Sequence, residues 1–195
     1  MTRQHPFSSL ARSTQTRALV LLTLFTIIVM AALAMLGAPL QTEHAPLGIV
    51  SFEFAKTPLQ AQQMMNSWGQ TGEVYAALNL GLDYLFLVLY SSSIALGCAL
   101  IADTLVPRTI FSAAGALLSW AQFAAAGLDA VENFALIHVL LSSQQPAWTE
   151  LAWWCALIKF AIVVAGLGYL VGGTALMLIK KLFTNRDAYD EKTEE

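Results

Sequence analysis

Asp83, Asp129, Glu132 and Lys159 are ionisable residues set inside long apolar runs of the chain. Charge within a membrane span costs roughly 2.5–3.5 kcal/mol per residue on insertion scales, so such groups persist where they face a partner, a cavity or a ligand. Three acids against one base form a charge-unbalanced set, and three chemistries suit it. A carboxylate acid/base pair could act on a lipid headgroup. The pair Asp129-x-x-Glu132, with Asp83 as a third ligand, could hold a metal. An acidic wall with one counter-ion could bind a polar or cationic ligand.

The metal reading is weak. Zinc and iron sites in helical bundles normally recruit histidine, and the nearest, His138, lies six residues beyond Glu132 on another face. Lys159 also competes with a cation, so no metal or cofactor is expected. Hydrolysis lacks a Gly-x-Ser-x-Gly or His-Glu-x-x-His motif, and Ser91 to Ser93 lie two or more turns from Lys159. Binding of a small or lipid-like ligand, with transport as its extension, leads. A charged cluster that only pairs helices in a structural protein is second, and a membrane enzyme is third.

The elements that must position these residues are helical spans. Of 195 residues, 57% are hydrophobic and 12% charged, about half the charged share of a soluble domain. Four apolar segments are predicted: 18–38, 74–102, 109–141 and 151–183. Each reaches the roughly 20 residues a bilayer requires. The first follows Arg12 and Arg17 like a signal peptide, but its apolar run of about 21 residues exceeds a signal h-region. The net charge of −3 carries no basic stripe, which argues against a nucleic-acid partner. Cys98 and Cys155 fall near opposite ends of their spans, too far apart for a disulfide, so two free thiols are expected.

Orientation follows from the positive-inside rule. Arg3, Arg12, Arg17, Arg108, Lys180, Lys181, Arg186 and Lys192 fall on one side, and Lys56 on the other. Both termini are therefore expected in the cytoplasm of a cell membrane, with residues 1–17 as a leading segment and 184–195 as a disordered tail. Trp148, Trp153 and Trp154 mark an aromatic belt at the outer start of span four. Short loops favour an antiparallel four-helix bundle. Residues 39–70 form a long outer connection, expected to be a structured cap. Within it, Gly48 to Phe54 has β-like character, and Thr57-Pro58 reads as an N-cap and N1 pair opening a short helix that ends at Gly69.

The charges lie on polar stripes. Asn79, Asp83, Tyr90, Ser93 and Gly97 share one face of span two, and Ser112, Gly115, Ser119, Gln122, Ala126, Asp129 and Asn133 one face of span three. Lys159 shares a face with Cys155, Gly166 and Gly173. Asp83, Asp129, Glu132 and Lys159 all fall roughly 28–35 Å from the cytoplasmic boundary at 1.5 Å per residue. That level is an outer-leaflet site beneath the cap. Asn79, Tyr84, Tyr90, Gln122 and Asn133 are the expected supporting partners. A four-helix monomer has little interior for a pore, so conduction would need a homo-oligomer; membrane lipids are the default surroundings.

Three stretches occur together: Leu47-Gly48-Ile49-Val50-Ser51-Phe52-Glu53-Phe54-Ala55, Leu82-Asp83-Tyr84-Leu85-Phe86 with Tyr90, and Leu128-Asp129-Ala130-Val131-Glu132-Asn133. The combination resembles a group of small four-span bacterial membrane proteins without an assigned activity. The resemblance implies that Glu53 of the cap belongs with Asp83, Asp129 and Glu132.

Overall fold

The computed structural model describes residues 5–104, 109–141 and 145–193, with side chains to residue 179. Arg3, Arg108, the loop residues 105–108 and 142–144, and the side chains of Lys180, Lys181, Arg186 and Lys192 lie outside the described residues. Among the described residues all regular structure is helical, in the order α1 (Arg12–Gly37), a 3₁₀ turn (Ala38–Leu40), α2 (Ile49–Glu53), α3 (Pro58–Thr104), α4 (Ile110–Leu140) and α5 (Pro146–Thr193). Four of these helices are long and apolar enough to cross a membrane. In hydrocarbon an α-helix is one of the few ways to pair every backbone group internally.

The helix starts follow local chemistry. Thr109 caps α4, its hydroxyl accepting from the Ser112 amide at 3.2 Å. Thr57 does the same for α3 through the Gln60 amide at 3.3 Å, with Pro58 at N1, where no amide hydrogen is needed. The first part of α3 stops at Gly69 as its sequence suggests, with φ 61° and ψ −177°. That conformation is essentially open to glycine alone. The helix resumes directly, so α3 is a short arm and a long rod joined at one residue.

Two stretches differ from expectation. Gly48 to Phe54 is not β-like: residues 49–53 form a helical turn, entered through Gly48 at φ 60°. A lone strand there would leave its backbone groups unpaired, because no strand exists among the described residues to receive it. The turn instead buries Phe52 against Trp68, with ring centroids 5.2 Å apart. The second difference is the tail. Helix α5 continues to Thr193 through residues expected to be disordered, in a stretch with neither proline nor glycine to stop it.

Helix α3 is the hub, packing against α1, α4 and α5, while α1 hardly touches α5. The connection between α1 and α3 folds back over one end of the bundle. Trp68 Nε1 donates to Leu40 O at 2.7 Å, and Thr42 and Ser67 hydroxyls pair at 2.7 Å. Phe54 stacks on Phe160 at 5.7 Å, and the Lys56 ammonium lies 4.7 Å from the Trp153 ring centroid. Two apolar cores result. One joins Leu40, Phe52, Met65, Trp68, Leu80, Leu136 and Val139 beneath the connection. The other joins Leu87, Tyr90, Ile94, Cys98, Ile101 and Tyr169 further along the bundle.

Gly69 and Gly81 both have open space where a Cβ would stand, so alanine there tests backbone conformation alone. Gly69→Ala should destabilise by about 1–3 kcal/mol from the disfavoured backbone. Gly81→Ala, inside the helix, should be neutral or stabilising by up to about 1 kcal/mol. Equal effects of the two in detergent-micelle unfolding would contradict the hinge at Gly69.

Candidate functional site

The charged residues meet between the two apolar cores. Lys159 is 6% exposed, Asp129 2% and Glu132 fully enclosed. The Lys159 ammonium donates to Asp129 Oδ1 at 2.7 Å and to Glu132 Oε1 at 2.9 Å. Helices α4 and α5 are tied together by that one cation. Tyr90 of α3 donates to Asp129 Oδ2 at 2.9 Å, and Asn133 donates to Asp83 Oδ2 at 2.6 Å. Three long helices therefore converge on one polar centre.

Glu53 reaches the same centre from α2, its Oε2 lying 3.6 Å from the Lys159 ammonium. Its side chain is 12% exposed, and it lies within hydrogen-bonding reach of Glu132. Burial raises the Glu53 carboxyl above its ordinary value, against the pull of Lys159 and with the push of Asp129. Glu53 Oε2 and Glu132 Oε2 are buried without a hydrogen bond.

The remaining sequence-nominated residues divide. Tyr90 and Asn133 join the centre. Asn79 does not: it donates to the Leu33 carbonyl of α1 at 2.9 Å and so holds α1 to α3. Tyr84 is 38% exposed and donates to the Ala130 carbonyl at 3.2 Å. Gln122 is buried further along α4 and donates to the Ile162 carbonyl at 3.2 Å. These three bond backbone, because each sits a turn or more from the cluster or on a neighbouring edge. The stripe beyond Asp129 also leaves Ser119 Oγ, Gln122 Oε1 and Tyr169 Oη buried without a hydrogen bond. Cys98 and Cys155 are buried free thiols. His138 lies between Phe134 and Trp148, with ring centroids at 4.5 and 4.4 Å.

A cavity of about 700 Å³ opens beside the centre, between α1, α3 and α5. Asp83, Asp129, Lys159, Phe86, Tyr90 and Phe160 line one end, and Arg12 and Thr104 the other. Its wall between these ends is apolar apart from hydroxyls such as Thr23 and Ser93, which bond each other at 2.8 Å. Arg12 pairs with Asp103 at 3.6 Å, both side chains nearly half exposed, a surface pair of little energetic weight.

The contribution of α1 to this cavity was missed in the sequence. Leu19, Thr23, Thr26 and Met30 all line it. Their spacing of 4, 3 and 4 is a helical stripe, and the two threonines within the otherwise apolar run 18–38 were the available signal. Among the described residues no three histidine, cysteine, aspartate or glutamate side chains converge as metal ligands would, and the Lys159 ammonium occupies the centre of the acids. Comparison with protein-family models, with known proteins and with solved structures finds no match.

Removing Lys159 should strand buried carboxylates. Lys159→Met is expected to cost about 3–5 kcal/mol, as when one partner of a buried pair is deleted. Adding Asp129→Asn and Glu132→Gln should recover most of that loss in detergent unfolding. No recovery would mean the ammonium does not carry the charge balance. Glu53 makes a separate prediction. A raised acid in the docked state contributes stability present below the ordinary glutamate value of about 4.3 and lost as pH rises through the docked value. Amide exchange over residues 49–53 should therefore be slower at pH 5 than at pH 8 after correction for intrinsic rates. Glu53→Gln should flatten that dependence.

Proposed function

We propose that the chain is a multi-pass membrane protein that binds a lipid-like ligand in the cavity between α1, α3 and α5, head-first against the charged centre. In this reading the four spans run antiparallel in a cell membrane, most simply a bacterial inner membrane. Both termini are cytoplasmic, and residues 39–57 with the α3 arm cap the opposite side. The charged centre then sits in the outer leaflet, under the cap. Movement of the ligand across the bilayer would require a homo-oligomer or a second conformation.

The observation that carries the reading is the juxtaposition of a long apolar cavity with a polar centre at one end. Helix pairing alone requires no empty volume beside it, and a cavity of this size falls within the roughly 300–1,000 Å³ of small-molecule sites. Apolar walls with a few convergent polar groups are the usual composition of such sites. A structural role is favoured by one specific observation: Lys159 bonds Asp129 and Glu132 directly, filling their space with protein groups. That pairing leaves Asp83 on the cavity wall, so the two roles divide among the residues rather than exclude each other.

Protein purified in mild detergent should retain an alkyl-chain amphiphile at about one per chain, detectable by native mass spectrometry. Thr26→Trp, which fills the cavity from α1, should reduce the bound fraction about tenfold while leaving the thermal stability of the ligand-stripped protein unchanged. Equal lipid retention by both forms would remove the cavity reading and leave the helix-pairing role.

A further inference from the structure

We propose that the cavity accepts one alkyl chain whose head is a primary ammonium, recognised by Asp83; this rests on the lipid-like binding reading above. The inference begins with which charges at the cavity end are already engaged. The Lys159 ammonium is surrounded by Asp129, Glu132 and Glu53 at 2.7, 2.9 and 3.6 Å. It has nothing to offer an anionic head. Asp129 has both oxygens engaged, Oδ1 by Lys159 and Oδ2 by Tyr90. Asp83 accepts from Asn133 through Oδ2, and among the described residues its Oδ1 makes no hydrogen bond. Asp83 is therefore the carboxylate on the cavity wall with a free acceptor.

Charge and aromatic groups agree on the sign of the head. Even with one proton held between Glu53 and Glu132, Asp83, Asp129 and the remaining carboxylate outnumber the one ammonium, so a phosphate or carboxylate entering here would meet an acid excess. Phe86 and Tyr90 line the same end of the cavity, with ring centroids 5.2 Å apart, while the Phe160 ring there is already taken by Phe54 and by the Lys159 ammonium, 5.1 Å from its centroid. Ring faces beside a carboxylate are favourable surroundings for a desolvated ammonium.

Volume and length set the chain. At about 30 Å³ for a methylene-sized group, taken as the share of one water in the liquid, about 700 Å³ holds roughly 23 such groups. That is one long chain with a small head, and far less than a two-chain phospholipid. From Lys159 to Met177 the wall runs about 27 Å along α5, against roughly 15 Å for one leaflet of a 30 Å core. The same chemistry could come from a free single-chain amine, or from one chain of an aminolipid whose second chain stays in the bilayer through the gap between α1 and α5.

The full chain in phosphatidylcholine nanodiscs can be titrated with octadecylamine, octadecanol and stearate, and with a two-chain phosphatidylethanolamine as competitor. We expect octadecylamine to bind at least about tenfold more tightly than octadecanol, and stearate more weakly than both. Asp83→Asn should bring octadecylamine to the level of octadecanol, while Asp83→Glu keeps the preference. Competition by phosphatidylethanolamine would assign the bilayer lipid as the source, and its failure to compete the single-chain amine. Equal binding of amine and alcohol, or a preference that survives Asp83→Asn, overturns the head assignment. Octadecanol binding that Thr26→Trp abolishes would still uphold the cavity. No binding of any probe overturns both.

Discussion

One ammonium group holds the centre of this molecule together. Lys159 is buried on α5 and contacts carboxylates from α4 and from the α2 turn, while α3 joins through Tyr90 and Asp129. Each of those carboxylates is too costly to bury alone. Each is tolerable where it is because the others position the lysine. The arrangement therefore fixes the rotation of α4 and α5 about their axes, since turning either by one residue would swing its charge toward the surrounding apolar residues. It also explains why the centre lies between two apolar cores rather than within one: each core packs independently, and the polar groups occupy the seam.

The connection between α1 and α3 is part of the same constraint. Its rings dock on α5 through Phe54 on Phe160 and Lys56 over Trp153, which places Glu53 beside Lys159. Phe160 and Lys159 also line the cavity. The connection thus touches the residues that form the cavity's polar end, and the protonation of Glu53 bears on both. Asn79 plays the complementary part for α1, bonding its Leu33 carbonyl and suspending that helix from α3. With α1 held from one side only, the space between α1 and α5 stays open.

The long helices, their apolar character and the four charges within them were legible because each rests on a one-dimensional signal: run length, composition and helical period. Glu53 was indicated by resemblance and not by spacing, since a loop residue's reach into a bundle has no period to reveal it. Thr57 and Gly69 were readable as start and stop chemistry. The turn at 49–53 was misread because alternating apolar residues also suit one turn of helix when Ile49 and Phe52 face the same way. Asn79, Tyr84 and Gln122 were grouped with the charges by face alone. Their backbone partners depend on how close neighbouring helices approach, which the glycines set and the stripe does not state. The cavity was invisible for the same reason: a gap between helices is a property of pairs.

The polar network and the cavity are best understood together. A buried ion network is weak support for stability, because well-packed apolar residues of similar volume often do as well or better. Pairing α4 with α5 would need one acid for one base; here Asp129 and Glu132 both bond Lys159, Glu53 adds a third, and Asp83 stands apart with Asn133. The surplus acid is unfavourable for a purely structural cluster. It becomes less unfavourable when a cation enters, and Asp83, the acid that Lys159 does not reach, lines the open volume with one oxygen free, whereas Asp129 beside it has both engaged. Binding free energy and folding free energy are then linked, since a ligand that favours the folded state stabilises it by mass action. A site with surplus acid while empty, and less of it once a cation enters, would retain its ligand for electrostatic reasons that the apolar wall alone cannot supply.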